Sequence, residues 1–415
     1  MNEPDIRAVF PALEQKVYGK PLVYLDNAAT AQKPEKVIAL LDEMNSGVNG
    51  NIHRAVHFLS VQCTERYEQA RRVIKKYINA AHEHEIIFTS GTTASVNLLA
   101  YSFGQRYIRK GDRIVVTTQE HHSNIVPWQL LCERTGAVLE VWDIDDSGVL
   151  DPKKLEAILD KSGPTPKLLA MAHISNVLGL VNPVRDIIRI AHHYKVPVMI
   201  DGAQGIVHRR VDVQDLDADF YVFSGHKLYG PTGTGVLYGK EKYLEEMGPW
   251  QGGGDMIASV SLTNGTKYAP LPMKFEAGTA NFIGAAALGA AVEFMDSMDE
   301  LWLKEHEETL VSETVKKLSE IEGLTIYGTA GTYYGLSWEK IPLFSFSVEG
   351  AHPNDMALLL DKMGIAVRSG QLCAEPLVER LGQTALLRIS FGVYNTLEEL
   401  DYFAACLRKA VAMLR

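Results

Sequence analysis

The chain is short of cysteine, of long apolar runs and of positive charge, and each shortage removes a class of function. Its four cysteines, Cys63, Cys132, Cys373 and Cys406, are widely spaced and form no CxxC pair. Neither a disulfide framework nor a metal site is expected, and each thiol reads first as a small apolar side chain. No stretch reaches the roughly 20 apolar residues of a membrane span. The opening MNEPDIRAVFPAL carries acids where a secretory signal carries bases, so a cytoplasmic protein without a membrane partner is expected. Against 51 acids stand only 41 Lys and Arg, a net charge of −10 at pH 7. With no basic stripe, a nucleic-acid partner is not expected either.

What is present is a soluble composition, 46% hydrophobic and 22% charged over 415 residues, long enough for a large α/β domain and a smaller one. Near the amino terminus, Asp5 to Leu13 reads as a short amphipathic helix and Leu22 to Leu25 as a strand. Asp26 to Thr30 reads as a loop of small residues that a ligand can approach. Pro34 suits a helix start, and Thr64 to Ile78 reads as a helix with Tyr67, Ala70, Ile74 and Tyr77 on one face.

Apolar runs then recur at Glu85 to Thr89, Arg113 to Thr117, Val138 to Trp142, Leu168 to His173, Val196 to Asp201, Phe220 to Ser224 and Gly235 to Tyr238. Near-continuous apolar strands separated by helical periodicity predict a mostly parallel seven-stranded sheet covered on both faces, with ligands beyond the carboxyl ends of its strands. After an Ala-rich helix from Asn281 to Met298 the order changes. Strands near Leu324 to Tyr327, Leu343 to Val348, Ala366 to Ser369 and Leu387 to Ser390 indicate a smaller α/β unit. The expected division is an N-terminal segment, 1–21, packing with the small domain; a large domain, 22–295; and a small domain, 296–415.

The stretch FYVFSGHKLYGPTGTG, Phe220 to Gly235, puts Lys227 just past a buried strand. Alone it reads as a solvated charge. Upstream, Asp201 ends a second apolar run, and it either caps the next helix or faces Lys227 across one site. An amine and an acid at neighbouring strand ends suit pyridoxal phosphate, the amine for the cofactor aldehyde and the acid for its ring nitrogen. Ser90-Gly91-Thr92-Thr93 opens a helix. It is either an ordinary cap or a phosphate seat, to which Ser224 and His226 add from the other side. His121-His122 is a polar turn or an imidazole stacked on a cofactor ring. Cys373 lies in RSGQLCAEP, a loop bracketed by glycine and proline, where the nearby Arg368 favours the nucleophilic thiolate.

These motifs, with YLDNAATAQKP, EHHSNIVPWQ, HISNVLGLVNP, FEAGTANFIG and RISFGVYNT, resemble the fold-type I pyridoxal phosphate enzymes over nearly the whole chain. The resemblance is to the group II cysteine desulfurases, the SufS and CsdA kind, of the class V aminotransferases. It implies roles residue by residue. Lys227 carries the cofactor, Asp201 faces the pyridinium, Gln204 the phenolic oxygen, and His121 stacks and exchanges protons. Thr92, Thr93, Ser224 and His226 take the phosphate, with Thr279 reaching in from the other subunit of a homodimer. Arg388 and Asn176, with Arg368, His53 and Arg54 nearby, hold the substrate, and Cys373 becomes the persulfide. The implied reaction takes L-cysteine to L-alanine and passes sulfur to an acceptor protein of the SufE or SufU kind for iron–sulfur cluster assembly. Selenocysteine lyase, cysteine sulfinate desulfinase or another enzyme of the same fold are the alternatives. One departure stands out: relatives often read RxGHHC, where this chain has Gln371-Leu372.

Overall fold

The computed structural model describes residues 3–161 and 163–415; residues 1 and 2 of the expected N-terminal segment, and Ser162, lie outside the described residues. Seven strands form the large sheet: β1 Ile86–Thr89, β2 Arg113–Thr117, β3 Val138–Trp142, β4 Leu168–Ala172, β5 Val198–Asp201, β6 Phe220–Ser224 and β7 Gly235–Gly239. They lie in the order β1-β7-β6-β5-β4-β2-β3. Only β7 runs against its neighbours, so all other strands share one carboxyl edge. Strands β2, β4, β5, β6 and β7 are buried along their whole length, which is why they read as unbroken apolar runs. At the edge, Val138 and Val141 of β3 are exposed.

The helices α1 Phe58–Tyr77, α2 Thr92–Tyr107 and α3 Phe282–Asp296 flank this sheet. Small residues let α3 press on α1, since a Cβ at Gly289 would sit 2.8 Å from that of Ala70. The turn from β1 to α2 is pinched harder. Gly91 has φ +146°, and a Cβ on Gly235 would lie 2.4 Å from its Cα, so both positions require glycine.

A second core gathers Leu310, Phe344, Phe346, Leu387, Ile389 and Phe403 around a four-stranded sheet. Its strands β8 Leu324–Tyr327, β9 Leu343–Val348, β10 Arg368–Gly370 and β11 Leu386–Ser390 lie in the order β8-β9-β11-β10, before the closing helix α4 Leu397–Leu414. Two early stretches touch this unit: Arg7, in the expected N-terminal segment, forms an ion pair with Glu399, and Val23–Tyr24, expected in the large domain, pairs in parallel with Ile365–Ala366.

Several local expectations differ from the structure. The first helix ends at Ala8, and Pro11–Glu14 forms a separate 3-10 turn, because proline supplies no amide for a continued helix. The single strand expected at Ala366 to Ser369 is two, since the chain changes partner at Val367. Three hairpins were not anticipated, Lys16–Val17 with Lys20–Pro21, Ile257–Ser261 with Gly265–Tyr268 and Gly331–Tyr333 with Leu336–Lys340. Among the described residues no helix is long and apolar enough to cross a membrane.

Candidate active site

The shared carboxyl edge of the sheet opens into a cavity of about 270 Å³. Asp201 is the last residue of β5 and Ser224 the last of β6, with Lys227 one short turn further on. Thr92 and Thr93 start α2 after β1, and His121 follows β2. These residues line the cavity together with Gln204, His226 and Asn176. The small unit closes it with Arg368, Cys373 and Arg388. Three expected residues lie elsewhere in the chain. Thr279 is exposed, His53 contacts Glu68 at 3.0 Å, and Arg54 pairs with Asp255.

Asp201 is buried, and its Oδ1 accepts the Ala203 amide at 2.9 Å; no described group donates to Oδ2. Burial pushes its pKa up, opposed by the Ala203 amide and the charge of Lys227. The Lys227 side chain makes no hydrogen bond among the described residues. Burial brings its pKa down to about 8, with Asp201 opposing and Arg388 reinforcing the shift. About a tenth of the amine is therefore neutral and nucleophilic at pH 7.

His121 is locked by Ser123, which was not anticipated although it stands in the HHSN motif. The Ser123 amide donates to His121 Nδ1 at 3.1 Å, and the Ser123 hydroxyl lies 3.0 Å away. Nδ1 is thus the acceptor, which puts the ring proton on Nε2. Burial, then the charges of Lys227, His122 and Arg388, bring its pKa down to about 3, so the ring stays neutral. Ser123 also touches the Thr93 hydroxyl at 2.7 Å, tying the imidazole to the helix start. There, the Ser224 hydroxyl accepts the Thr92 amide at 2.8 Å. Behind His121, Glu120 is wholly buried against Thr117, Asn124 and the Ala172 amide. Burial pushes its pKa up to about 8, and Asp201 adds to the rise.

Cys373 is exposed at the cavity mouth. Two successive left-handed residues, Leu372 at φ +56° and Cys373 at φ +55°, carry the loop. Its carbonyls are held from the large domain: His122 N–H donates to Cys373 O at 2.8 Å and Asn176 Nδ2 to Leu372 O at 2.9 Å. His122 Nε2 also accepts the Glu375 amide at 3.1 Å. Leu372 is buried in the core with Ala374 and Leu377, where it packs. Arg388 is buried, donating to Asn176 O at 2.9 Å and reaching Asp26 at 3.4 Å, while its Nε has no partner. Burial brings its pKa down to about 10, with Asp26 opposing. Asp26, expected only as the start of a loop that a ligand can approach, has its side-chain partners more than 340 positions away.

The sequence profile described as Aminotransferase class-V matches residues 23–403. The chain belongs to that family. It is 45% identical to a probable cysteine desulfurase of Halalkalibacterium halodurans over 409 residues, 99% of this chain and 98% of that protein. To a cysteine desulfurase of Cronobacter sakazakii it is 46% identical, over 97% of both chains. The crystal structure of the cysteine desulfurase CsdA from Escherichia coli superposes with a TM-score of 0.90 at 38% identity and covers 100% of each chain. The fold is therefore that of the fold-type I pyridoxal phosphate enzymes, and class-V aminotransferases depend on that cofactor. The cavity fits it. A buried acid with one bare oxygen, an amine without a hydrogen-bond partner, a neutral imidazole and a hydroxyl-rich helix start are the groups that a phosphorylated pyridine aldehyde requires.

Proposed function

We propose that the chain is a cysteine desulfurase, converting L-cysteine to L-alanine and leaving the sulfur as a persulfide on Cys373. The observation that carries this reading is the meeting of an exposed thiol, a partly neutral lysine and an unpaired guanidinium nitrogen in one cavity. Lys227 would hold the cofactor, Asp201 its ring nitrogen and Gln204 its phenolic oxygen. His121 would lie over the ring, with Thr92, Thr93, Ser224 and His226 at the phosphate. When bound, the cofactor withdraws electrons from the substrate Cα and so acidifies its C–H bond.

Arg388 receives the substrate carboxylate, which supplies the partner its Nε lacks. Asn176 and Arg368 stand beside it. Lys227 takes the Cα proton as general base. Cys373 attacks the substrate sulfur: the S–S bond forms, the Cβ–S bond breaks, and its electron pair passes to Cβ. The Cys373 thiol proton and the proton on Lys227 provide the hydrogens that alanine gains at Cβ and regains at Cα. The two anchored carbonyls of the loop hold the thiol in place for this attack.

The enzyme works in this reading as a cytoplasmic homodimer. What supports the dimer is that Thr279 is exposed and lies away from its own cavity, where it can complete that of a second copy. The exposure of Cys373 supports delivery of its sulfur to an acceptor protein of the SufE or SufU kind. Replacing Lys227 with alanine is expected to abolish both cofactor attachment and alanine formation. A Lys227→Ala protein that still turned cysteine over would end the assignment.

A further inference from the structure

The loop after β4, His173 to Val181, lies in the expected large domain but is held by the small one. Four successive carbonyls each meet a donor from residues 340–388. Arg388 donates to Asn176 O at 2.9 Å, the Ser345 hydroxyl to Val177 O at 2.6 Å, Lys340 Nζ to Leu178 O at 2.6 Å and the Ile341 amide to Gly179 O at 2.9 Å. Ser345 and Arg388 stand directly opposite each other across β9 and β11, so one cross-strand pair grips consecutive carbonyls. Lys340 ends a hairpin strand whose Glu339 and Lys340 pair with Val181 and Leu180. Gly179 lets the loop press on β9, since a Cβ there would lie 2.5 Å from Leu343 O. Val177, Leu178 and Ser345 are wholly buried. Lys340 packs 4.8 Å from the Phe344 ring centre, and burial of its ammonium brings its pKa down to about 7, although part of the residue stays exposed. The Ser345 and Lys340 side chains make no other hydrogen bond or ion pair among the described residues. On the far side of the same loop, Asn176 Nδ2 donates to Leu372 O, the carbonyl next to Cys373.

Resting on the desulfurase reading above, we propose that Ser345 and Lys340 are positioning residues for sulfur transfer. They hold the loop that carries Asn176, and Asn176 in turn holds the Leu372 carbonyl so that Cys373 meets the substrate sulfur. Neither side chain touches the substrate. Without either donor a buried carbonyl loses its partner. The loop then shifts to find another, and Cys373 is aimed less well.

The test uses holoenzyme carrying Ser345→Ala, which removes only the hydroxyl, or Lys340→Met, which keeps a stem of similar length. Hydrogen exchange of the backbone amides of Val177 to Gly179, read by mass spectrometry, is paired with kcat for alanine formation from L-cysteine and from L-selenocysteine. Each variant is expected to exchange about fivefold faster at these amides, the effect of one lost hydrogen bond. Each should also lose about fivefold in kcat on cysteine while keeping its kcat on selenocysteine, whose selenium leaves without thiol attack. A merely structural loss would lower both substrates together. Unchanged exchange at Val177 to Gly179, an unchanged kcat on cysteine, or an equal fall on both substrates would each overturn the proposal. If the wild type makes no alanine from cysteine, the desulfurase reading fails, while the exchange rates still decide whether these two side chains hold the loop.

Discussion

Beneath the turn that opens α2 lies an ion pair with almost no access to water. The Arg71 side chain is 1% exposed and that of Glu276 4%. The pair is bidentate at 2.8 and 2.9 Å. Arg71 also donates to Ile86 O at 2.6 Å, and Glu276 accepts from the Phe88 amide and the Tyr67 hydroxyl, both at 2.7 Å. The guanidinium stacks 4.8 Å from the Phe88 ring centre. The cluster thus ties α1 and β1 to the segment leading to Thr279.

Removing only the cation, as in Arg71→Met, leaves a buried carboxylate with two neutral donors, and a broken buried pair costs about 3–5 kcal/mol. The two surviving hydrogen bonds place the expected loss near the lower figure, about 3 kcal/mol. In Arg71→Met/Glu276→Gln the new carbonyl keeps the Phe88 amide and the new amide donates to the Tyr67 oxygen. At least about half of the loss should return. Urea unfolding at fixed protein concentration, with cofactor saturating, reads both variants. A loss below about 1 kcal/mol in the single variant, or a double variant no more stable than the single, would refute the reasoning.

Other consequences are equally direct. Because the Lys227 ammonium loses its proton near pH 8, reattachment of pyridoxal phosphate to apoprotein should accelerate about tenfold per pH unit below that value and level off above it; a flat profile would contradict the neutral amine. Ser123→Ala removes the hydroxyl beside His121 and should lower kcat about fivefold with little change in KM, seen in steady-state alanine formation. Gly235→Ala forces a Cβ to 2.4 Å from Gly91 Cα, so it should cost cofactor affinity or the fold itself, read by cofactor titration and thermal unfolding.

The large sheet was legible because five of its seven strands are buried along their whole length, which produced the apolar runs. The hairpin at Ile257–Ser261 and Gly265–Tyr268 is largely exposed and left no such trace. Residues next to a strand end, such as Lys227 and Asp201, announced themselves by position. Asp26 did not, since its meaning depends on two arginines brought to it by the far end of the chain. Glu120 was equally silent, because the Ala172 amide that completes its hydrogen bonds is brought to it by β4, more than 50 residues away. The left-handed backbone at Leu372 and Cys373 carries no glycine signal, and only the carbonyl anchors from His122 and Asn176 explain how it is held.

The central claim is that Cys373 accepts sulfur from a substrate positioned by Lys227 and Arg388. The measurement that tests it most directly is alanine formation from L-cysteine by the wild type and by Cys373→Ala, with L-selenocysteine run in parallel. The account predicts that the substitution stops turnover of cysteine while sparing that of selenocysteine, because selenium leaves more readily without thiol attack. Equal turnover of cysteine by the two proteins would contradict it.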